Sequence, residues 1–178
     1  MTTLQLGDQA PDFRLPGVDN QQHALDDYAT RSVLVVIFSC NHCPYVRAWE
    51  DRMVQLQRDF AQQNVQFIVI SSNSAEVRPA DSFPKMQERA VEKGFNFPYL
   101  YDEPQTVARA YGATRTPEVF VFDDQRALRY HGAIDDNYDD PAAVKQEYLR
   151  DALKAIIAHA TPAVSDTPVV GCSIKWKP

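Results

Sequence analysis

Apolar residues form short runs that alternate with amphipathic stretches from about residue 32 onwards. Residues 33–38 are an uninterrupted apolar run, which is typical of a central strand covered on both faces. After this run, apolar residues recur at steps of three and four and predict one face of a helix. These residues are Val46, Trp49, Met53, Leu56 and Phe60. The alternation of the two patterns predicts an α/β layer fold.

The rest of the pattern predicts a central mixed β-sheet flanked by helices. Further strands are predicted over residues 65–70, 97–101, 119–122 and 127–131. The last two strands are separated by a tight polar turn, so we expect them to be antiparallel. Further helices are predicted over residues 81–93, 103–111 and 140–159. Each has a proline in its first turn, where the missing N–H is tolerated, and a glycine follows each of the first two.

The chain length of 178 residues fits one compact domain with a short tail. We predict a single domain over residues 1–160. Residues 161–178 are a C-terminal tail that contains prolines and also carries Cys172 and Trp176. A purely disordered tail rarely carries such residues, so we expect this tail to dock on the domain.

Composition and charge exclude several functional classes. The net charge of −6 leaves no excess of Lys and Arg for binding nucleic acid or an anionic membrane. The longest purely apolar run is six residues, whereas a membrane-spanning helix needs about 20. The N-terminal sequence has neither the basic start nor the apolar stretch of a secretory signal. We therefore expect a cytoplasmic protein without nucleic-acid or membrane partners.

Two of the three cysteines, Cys40 and Cys43, stand at the predicted junction of strand and helix. In a reducing compartment, a close pair of this kind is usually catalytic or metal-binding. A thiol reacts as the thiolate, and a helix N-terminus can lower a cysteine pKa from about 8.5 to about 3.5–7.5. We expect this effect at Cys40. The spacing would let the second thiol displace a mixed disulfide.

Each candidate residue also has a simpler interpretation, and the residue pattern leaves these open. His42 either stabilises the thiolate or is a solvent-exposed loop histidine. Cys40 and Cys43 are a redox pair, two independent core thiols or, together with His42, soft metal ligands. The chain has no second cysteine pair to close a zinc site. We expect no bound metal and no cofactor.

Thr116 and Pro117 stand between a helix stop at Gly112 and a predicted strand. An X–Pro bond can be cis at such a place, although the trans form is more frequent. Two histidines, His131 and His159, have no partners in the sequence pattern and are interpreted as surface residues.

The order of these motifs resembles the thioredoxin-like superfamily. Residues 7–15, Gly-Asp-Gln-Ala-Pro-Asp-Phe-Arg-Leu, are similar to the opening segment of the redoxin group, the alkyl hydroperoxide reductase and thiol-specific antioxidant (AhpC/TSA) branch. Residues 40–45, Cys-Asn-His-Cys-Pro-Tyr, and residues 170–177, Val-Gly-Cys-Ser-Ile-Lys-Trp-Lys, resemble a bacterial peroxiredoxin-like subgroup, as do residues 132–137.

This resemblance implies a thioredoxin-like fold with a redoxin-type N-terminal extension. It implies that Cys40 is the attacking thiol, Cys43 the resolving thiol and Pro117 a cis-proline that faces them. A cis bond there would expose the Thr116 backbone to a substrate. The implied partners are a protein or small-molecule disulfide or a hydroperoxide, together with a cellular thiol reductant.

Three functions follow from these residues and this resemblance. The first is thiol-disulfide exchange through a mixed disulfide, although no acid lies between Arg31 and Cys40 as a buried proton acceptor. The second is a thiol-dependent peroxidase. The peroxiredoxin motif Pro-x-x-x-Thr-x-x-Cys is not matched, because Val36 and Cys40 occupy its proline and threonine positions before Cys43. The third is a copper-binding chaperone of the Sco type, which shares the fold.

The remaining cysteine, Cys172, lies in the tail. We hypothesise that it is a third redox thiol, which exchanges disulfides with Cys40 or Cys43 when the tail folds over the motif. The simpler interpretation is a lone thiol that anchors the tail beside Trp176.

Overall fold

The structure, a computed structural model, describes residues 2–178. Its strands are β1 (Arg14–Pro16), β2 (Gln22–Ala24), β3 (Val33–Ser39), β4 (Val65–Ser71), β5 (Tyr99–Tyr101), β6 (Arg115–Thr116), β7 (Glu118–Phe122), β8 (Leu128–Gly132) and β9 (Cys172–Ser173). Its α-helices are α1 (Pro44–Phe60), α2 (Phe83–Lys93), α3 (Thr106–Tyr111) and α4 (Tyr148–Ile157).

The core is a five-stranded sheet in the order β5-β4-β3-β7-β8. Strand β4 is parallel to both β3 and β5, whereas β7 is antiparallel to both β3 and β8. The apolar run over residues 33–38 forms the central strand, and all of its residues are buried. The predicted mixed sheet is therefore confirmed.

Side chains of β3 point alternately to the two faces of the sheet. The face that carries Val35 packs against α1, α2 and α4. The opposite face, which carries Val36, packs against β1, α3 and Ile174 of the tail. Helices thus flank the sheet as predicted, and the N-terminal extension, with β1 and β2, covers part of the second face.

Two predicted helices begin later than the sequence pattern indicates. Asp140 caps only a 3₁₀ turn, Pro141–Ala143, and α4 begins at Tyr148. The backbone between them is bonded to the preceding loop, because the amide of Lys145 donates to the Asp136 side chain at 2.9 Å. Those residues are therefore unable to join the helix. Helix α3 likewise begins at Thr106, after the predicted start at residue 103.

The C-terminal tail docks on the domain, as expected. Strand β9 pairs antiparallel with β6, and Ile174 is only 3% exposed in the second face of the core. The division of the chain at residue 160 stays a prediction. His159 is exposed, as predicted.

Within residues 2–178, no helix is both long and apolar enough to cross a bilayer.

Candidate functional site

The cysteine motif lies in the loop between β3 and α1, at the end of the central strand. Cys43 is the N-cap of α1, and Pro44 is in its first turn, where the missing N–H of proline is tolerated. Cys40 and Cys43 are 1% and 0% exposed. The structure therefore buries both sulfurs and places the start of the helix at the second cysteine.

A buried carboxylate, Asp81, holds the loop from the side of α2. Its Oδ1 accepts hydrogen bonds from the amides of Asn41 and His42 at 2.7 and 3.2 Å. Its Oδ2 bonds Nδ1 of His42 at 2.5 Å and accepts from Nδ2 of Asn73 at 2.8 Å. Two of the loop amides near Cys40 are therefore bonded to a carboxylate.

Asn41, the first residue between the cysteines, fixes the loop further. Its side chain donates to the carbonyl of Ala80 at 2.9 Å and accepts from the hydroxyl of Tyr99 at 2.8 Å. Its own carbonyl accepts from Nε of Arg47 at 2.9 Å. The loop is thus held in one conformation by partners on three elements, which is the preorganisation that exchange at a fixed sulfur requires.

The sulfur of Cys43 is surrounded by hydrogen-bond donors. A hydrogen bond from the Cys40 thiol is the main reason why the pKa of Cys43 is lowered to about 4, and it outweighs the opposing effect of burial. The thiol and the amide of Cys172 and the amide of Val46, in the first turn of α1, also donate to this sulfur. When protonated, the Cys43 thiol donates to the carbonyl of Thr116 at 3.3 Å.

The sulfur of Cys40 has the opposite surroundings. Its hydrogen bond to Cys43, its burial and the negative charge of Asp81 all raise the pKa of Cys40. Its stabilising side-chain partner is Oγ1 of Thr116, at 3.4 Å. The expectation that the helix lowers the pKa of Cys40 is therefore wrong, because the helix begins four positions later, at Pro44, with Cys43 as its N-cap.

The Thr116–Pro117 peptide bond is cis, and Thr116 contacts both cysteines. The resemblance implied that a substrate would have access to the Thr116 backbone. In the structure, Thr116 is 1% exposed and its neighbour across the β6–β9 pair is Cys172. The tail thus occupies the place expected for a substrate, and the substrate-binding role of Thr116 and Pro117 stays a prediction.

A second buried carboxylate follows the cis-proline. Glu118 accepts hydrogen bonds from the amides of Thr114 and Arg115 at 2.8 and 3.0 Å. It also bonds Nε2 of His131 at 2.9 Å, while Nδ1 of His131 bonds Asp166 at 2.8 Å. Burial lowers the pKa of His131, but the two carboxylates outweigh it and raise this pKa.

The interpretation of His131 as an unpartnered surface residue is therefore wrong. Its partners are 13 and 35 positions away along the chain, so no local pattern indicates them. Asp81 was missed for the same reason, because the sequence indicates only a helix cap at this position. Asp81 lies about 40 positions from the cysteine loop along the chain. An acidic residue at that distance does not by itself indicate a contact with the loop.

Ligand atoms of Cys40, His42 and Asp81 all lie within 4.8 Å of one another. These residues are the candidate set for a soft metal ion, with Asp81 in addition to the cysteines and histidine considered from the sequence. The oxygens of Asp81 already bond four donor groups. The same carboxylate that completes the set is thus also the main support of the loop.

Comparisons with known proteins identify related sequences and structures. The sequence model of the AhpC/TSA family matches residues 6–131. The chain is 27% identical over 124 residues to the thiol-disulfide oxidoreductase ResA of Geobacillus thermodenitrificans. The match covers 68% of this chain and 66% of ResA, so the chain spans just under two thirds of the length of that relative. It is 26% identical over 136 residues to Rv2521 of Mycobacterium tuberculosis, a candidate peroxiredoxin, covering 76% of this chain and 82% of that protein.

The whole chain also resembles a solved structure. A crystal structure of an uncharacterized conserved protein from Geobacillus kaustophilus superposes with a TM-score of 0.93 at 41% identity, and the match covers 98% of this chain and 93% of that one. The likeness extends through the C-terminal tail, beyond the residues that the family model matches.

Proposed function

Because this chain belongs to the AhpC/TSA family, we propose that it is a thiol-disulfide oxidoreductase that works through the Cys40 and Cys43 dithiol. The observation that carries the proposal is the contact of both sulfurs with one residue, Thr116, which precedes the cis-proline. Such an arrangement brings the two thiols together beside β6, whose edge is paired with β9 of the tail. The proposed partners are a protein or small-molecule disulfide and a cellular thiol reductant.

The resemblance implies that Cys40 attacks first and that Cys43 resolves. We propose the reverse order, with attack by Cys43, because hydrogen bonds lower the pKa of Cys43 whereas that of Cys40 is raised. When β9 separates from β6, the Cys43 thiolate attacks one sulfur of a substrate disulfide, forms a mixed disulfide and releases the first substrate thiol. Cys40 then loses its proton and attacks the Cys43 sulfur, which releases the second substrate thiol and forms the Cys40–Cys43 disulfide. Two electrons pass from the protein to the substrate, and a thiol reductant returns them.

Insulin reduction by the wild type, Cys40→Ser and Cys43→Ser tests this proposal. We expect turnover to fall by at least about 100-fold in both variants, because each lacks one of the two sulfurs that the exchange requires. The exposed Ser173 gives a matched control, since Ser173→Ala leaves both sulfurs in place. Turnover that survives in both cysteine variants would overturn the proposal.

A second candidate is a thiol peroxidase, which is favoured by the match to Rv2521. In this reaction one thiolate attacks the hydroperoxide, and a second thiol resolves the sulfenic acid. Hydroperoxide consumption that survives in Cys40→Ser but not in Cys43→Ser would favour the peroxidase over disulfide exchange.

A third candidate, copper binding, is favoured by the proximity of Cys40, His42 and Asp81. Metal analysis of the purified protein after addition of Cu⁺ tests it. Stoichiometric copper that is lost in His42→Ala would favour a chaperone of the Sco type.

A further inference from the structure

The two cysteines of the pair are closed off from external partners. They are 1% and 0% exposed, whereas Cys172 is only half-buried. Cys172 packs against the small cluster formed by Cys40, Cys43 and Val46. An external thiol that approaches the folded protein therefore meets the sulfur of Cys172 first.

We propose that Cys172 is a third redox residue, at which an external thiol reductant reacts through a Cys43–Cys172 disulfide. This inference rests on the proposed function and specifies how the reducing half of that reaction reaches a buried pair. The partner is a thiol of either a small molecule or a protein.

The backbone holds the Cys172 sulfur beside that of Cys43. Cys172 faces Thr116 across the β6–β9 pair, and the carbonyl of Thr116 contacts the Cys43 sulfur at 3.3 Å. Cys172 packs against the cluster that contains this sulfur, and its thiol and amide are among the groups that lower the pKa of Cys43. No such contact joins Cys172 to Cys40 in the part of the chain that the structure describes.

Residues before and after Cys172 hold the tail against the domain. A Cβ atom added at Gly171 would lie 2.2 Å from the carbonyl oxygen of Thr116, so only glycine allows the tail to approach this closely. The backbone of Lys175 donates to Oδ1 of Asn73 and accepts from the amide of Ser74, at 2.9 and 2.8 Å. These contacts fix the register of the tail and thus the place of Cys172.

The proposed sequence balances in atoms and electrons. In the oxidised protein, the Cys172 thiolate attacks the Cys43 sulfur of the Cys40–Cys43 disulfide, and Cys40 leaves and takes up the proton that Cys172 lost. An external thiolate then attacks the Cys172 sulfur, and Cys43 leaves as the thiolate. A second external thiolate attacks the external sulfur, which forms an external disulfide and frees Cys172. Two external thiols are oxidised and the Cys40–Cys43 pair is reduced.

The first test is a disulfide map of Cys40→Ser after oxidation with one equivalent of diamide. We expect peptide mapping under non-reducing conditions to find an internal Cys43–Cys172 disulfide. The matched control is Cys43→Ser, in which we expect no internal disulfide between Cys40 and Cys172. A Cys172 thiol that stays free in Cys40→Ser would overturn the proposal.

The second test is the rate at which glutathione reduces the Cys40–Cys43 disulfide. We expect the rate to fall by about tenfold or more in both Cys172→Ser and Cys172→Ala, since the exposed sulfur is removed. Ser173→Ala, on the same strand, should react at the wild-type rate. If Cys40→Ser and Cys43→Ser are inactive with insulin but the Cys172 variants are reduced as fast as wild type, only this relay is overturned. Full insulin turnover in Cys40→Ser and Cys43→Ser would overturn the dithiol reaction itself.

Discussion

The two sides of the cysteine pair differ in charge although the sulfurs are three positions apart. On one side, which we call the Asp81 side, a buried carboxylate binds the loop amides and faces Cys40. On the other, the tail side, Cys172 and the start of α1 surround Cys43 with donors. The comparison teaches that the hydrogen bond between two similar thiols and, in addition, residues remote in the sequence decide which of them becomes the thiolate.

The largest effect is expected on the Asp81 side. In Asp81→Asn, the NH₂ group of the new side chain faces hydrogen-bond donors that the carboxylate oxygen accepts in the wild type. We therefore expect the free energy of unfolding to fall by about 2–4 kcal/mol. The pKa of Cys40 should also fall, because the negative charge that raises it is removed. Urea denaturation measures the first effect and thiolate absorbance the second.

A matched control for this change is Asp139→Asn, which alters an exposed acid. It should change the free energy of unfolding by no more than about 0.5 kcal/mol. If Asp81→Asn is as mild as the control, the carboxylate is not the support of the cysteine loop.

On the tail side, Gly171→Ala should separate β9 from β6. The added Cβ would lie 2.2 Å from the Thr116 carbonyl oxygen, and such overpacking costs about 1–3 kcal/mol. We expect faster alkylation of Cys43 by iodoacetamide as the tail loosens. An alkylation rate equal to that of the wild type would mean that the tail does not control access to the pair.

The His131–Glu118 pair, which also bonds Asp166 of the tail, should make the stability of the protein depend on pH. Since the folded-state pKa of His131 is raised, its contribution is complete below about pH 6.5 and is lost as the pH rises through the folded-state value. We expect His131→Gln to be less stable than wild type by about 1 kcal/mol below about pH 6.5, with the difference shrinking as the pH rises through the folded-state pKa of His131. Thermal unfolding of both proteins at a series of pH values measures this difference in stability. The control His159→Gln, at an exposed site, should show no such trend.

The smallest effect is expected where the tail ends. The guanidinium of Arg109 lies 4.6 Å from the ring centre of Trp176, a contact worth about 0.5–1 kcal/mol at an exposed site. Arg109→Ala should therefore speed hydrogen exchange at the amide of Ile174 by about threefold to fivefold. Arg58→Ala, which changes another exposed arginine, should leave this rate unchanged.

The fold could be predicted from the sequence to the extent that it depends on local patterns. The apolar run of β3 and the three-and-four spacing of α1 are read from neighbouring residues, and both elements lie where expected. The start of α4 could not be predicted, because the side chain of Asp136 binds the amide of Lys145 and holds that backbone away from the helix.

The candidate site could be predicted only in part for the same reason. Cys40, His42, Cys43, Thr116 and Cys172 were identified from motifs, and the structure brings them together. Beyond the hydrogen bond between the two cysteines, the residues that add to the difference between their pKa values reach the site through the fold. Asp81 approaches from the turn before α2, and no spacing along the chain connects it with Cys40.

A titration of the reduced wild-type protein tests the central claim most directly. With ¹³Cβ-labelled cysteine, NMR follows the ionisation of each sulfur separately. The structure predicts that Cys43 ionises with a pKa of about 4 and that Cys40 remains protonated well above the ordinary cysteine pKa. Ionisation of Cys40 before Cys43 would contradict the account.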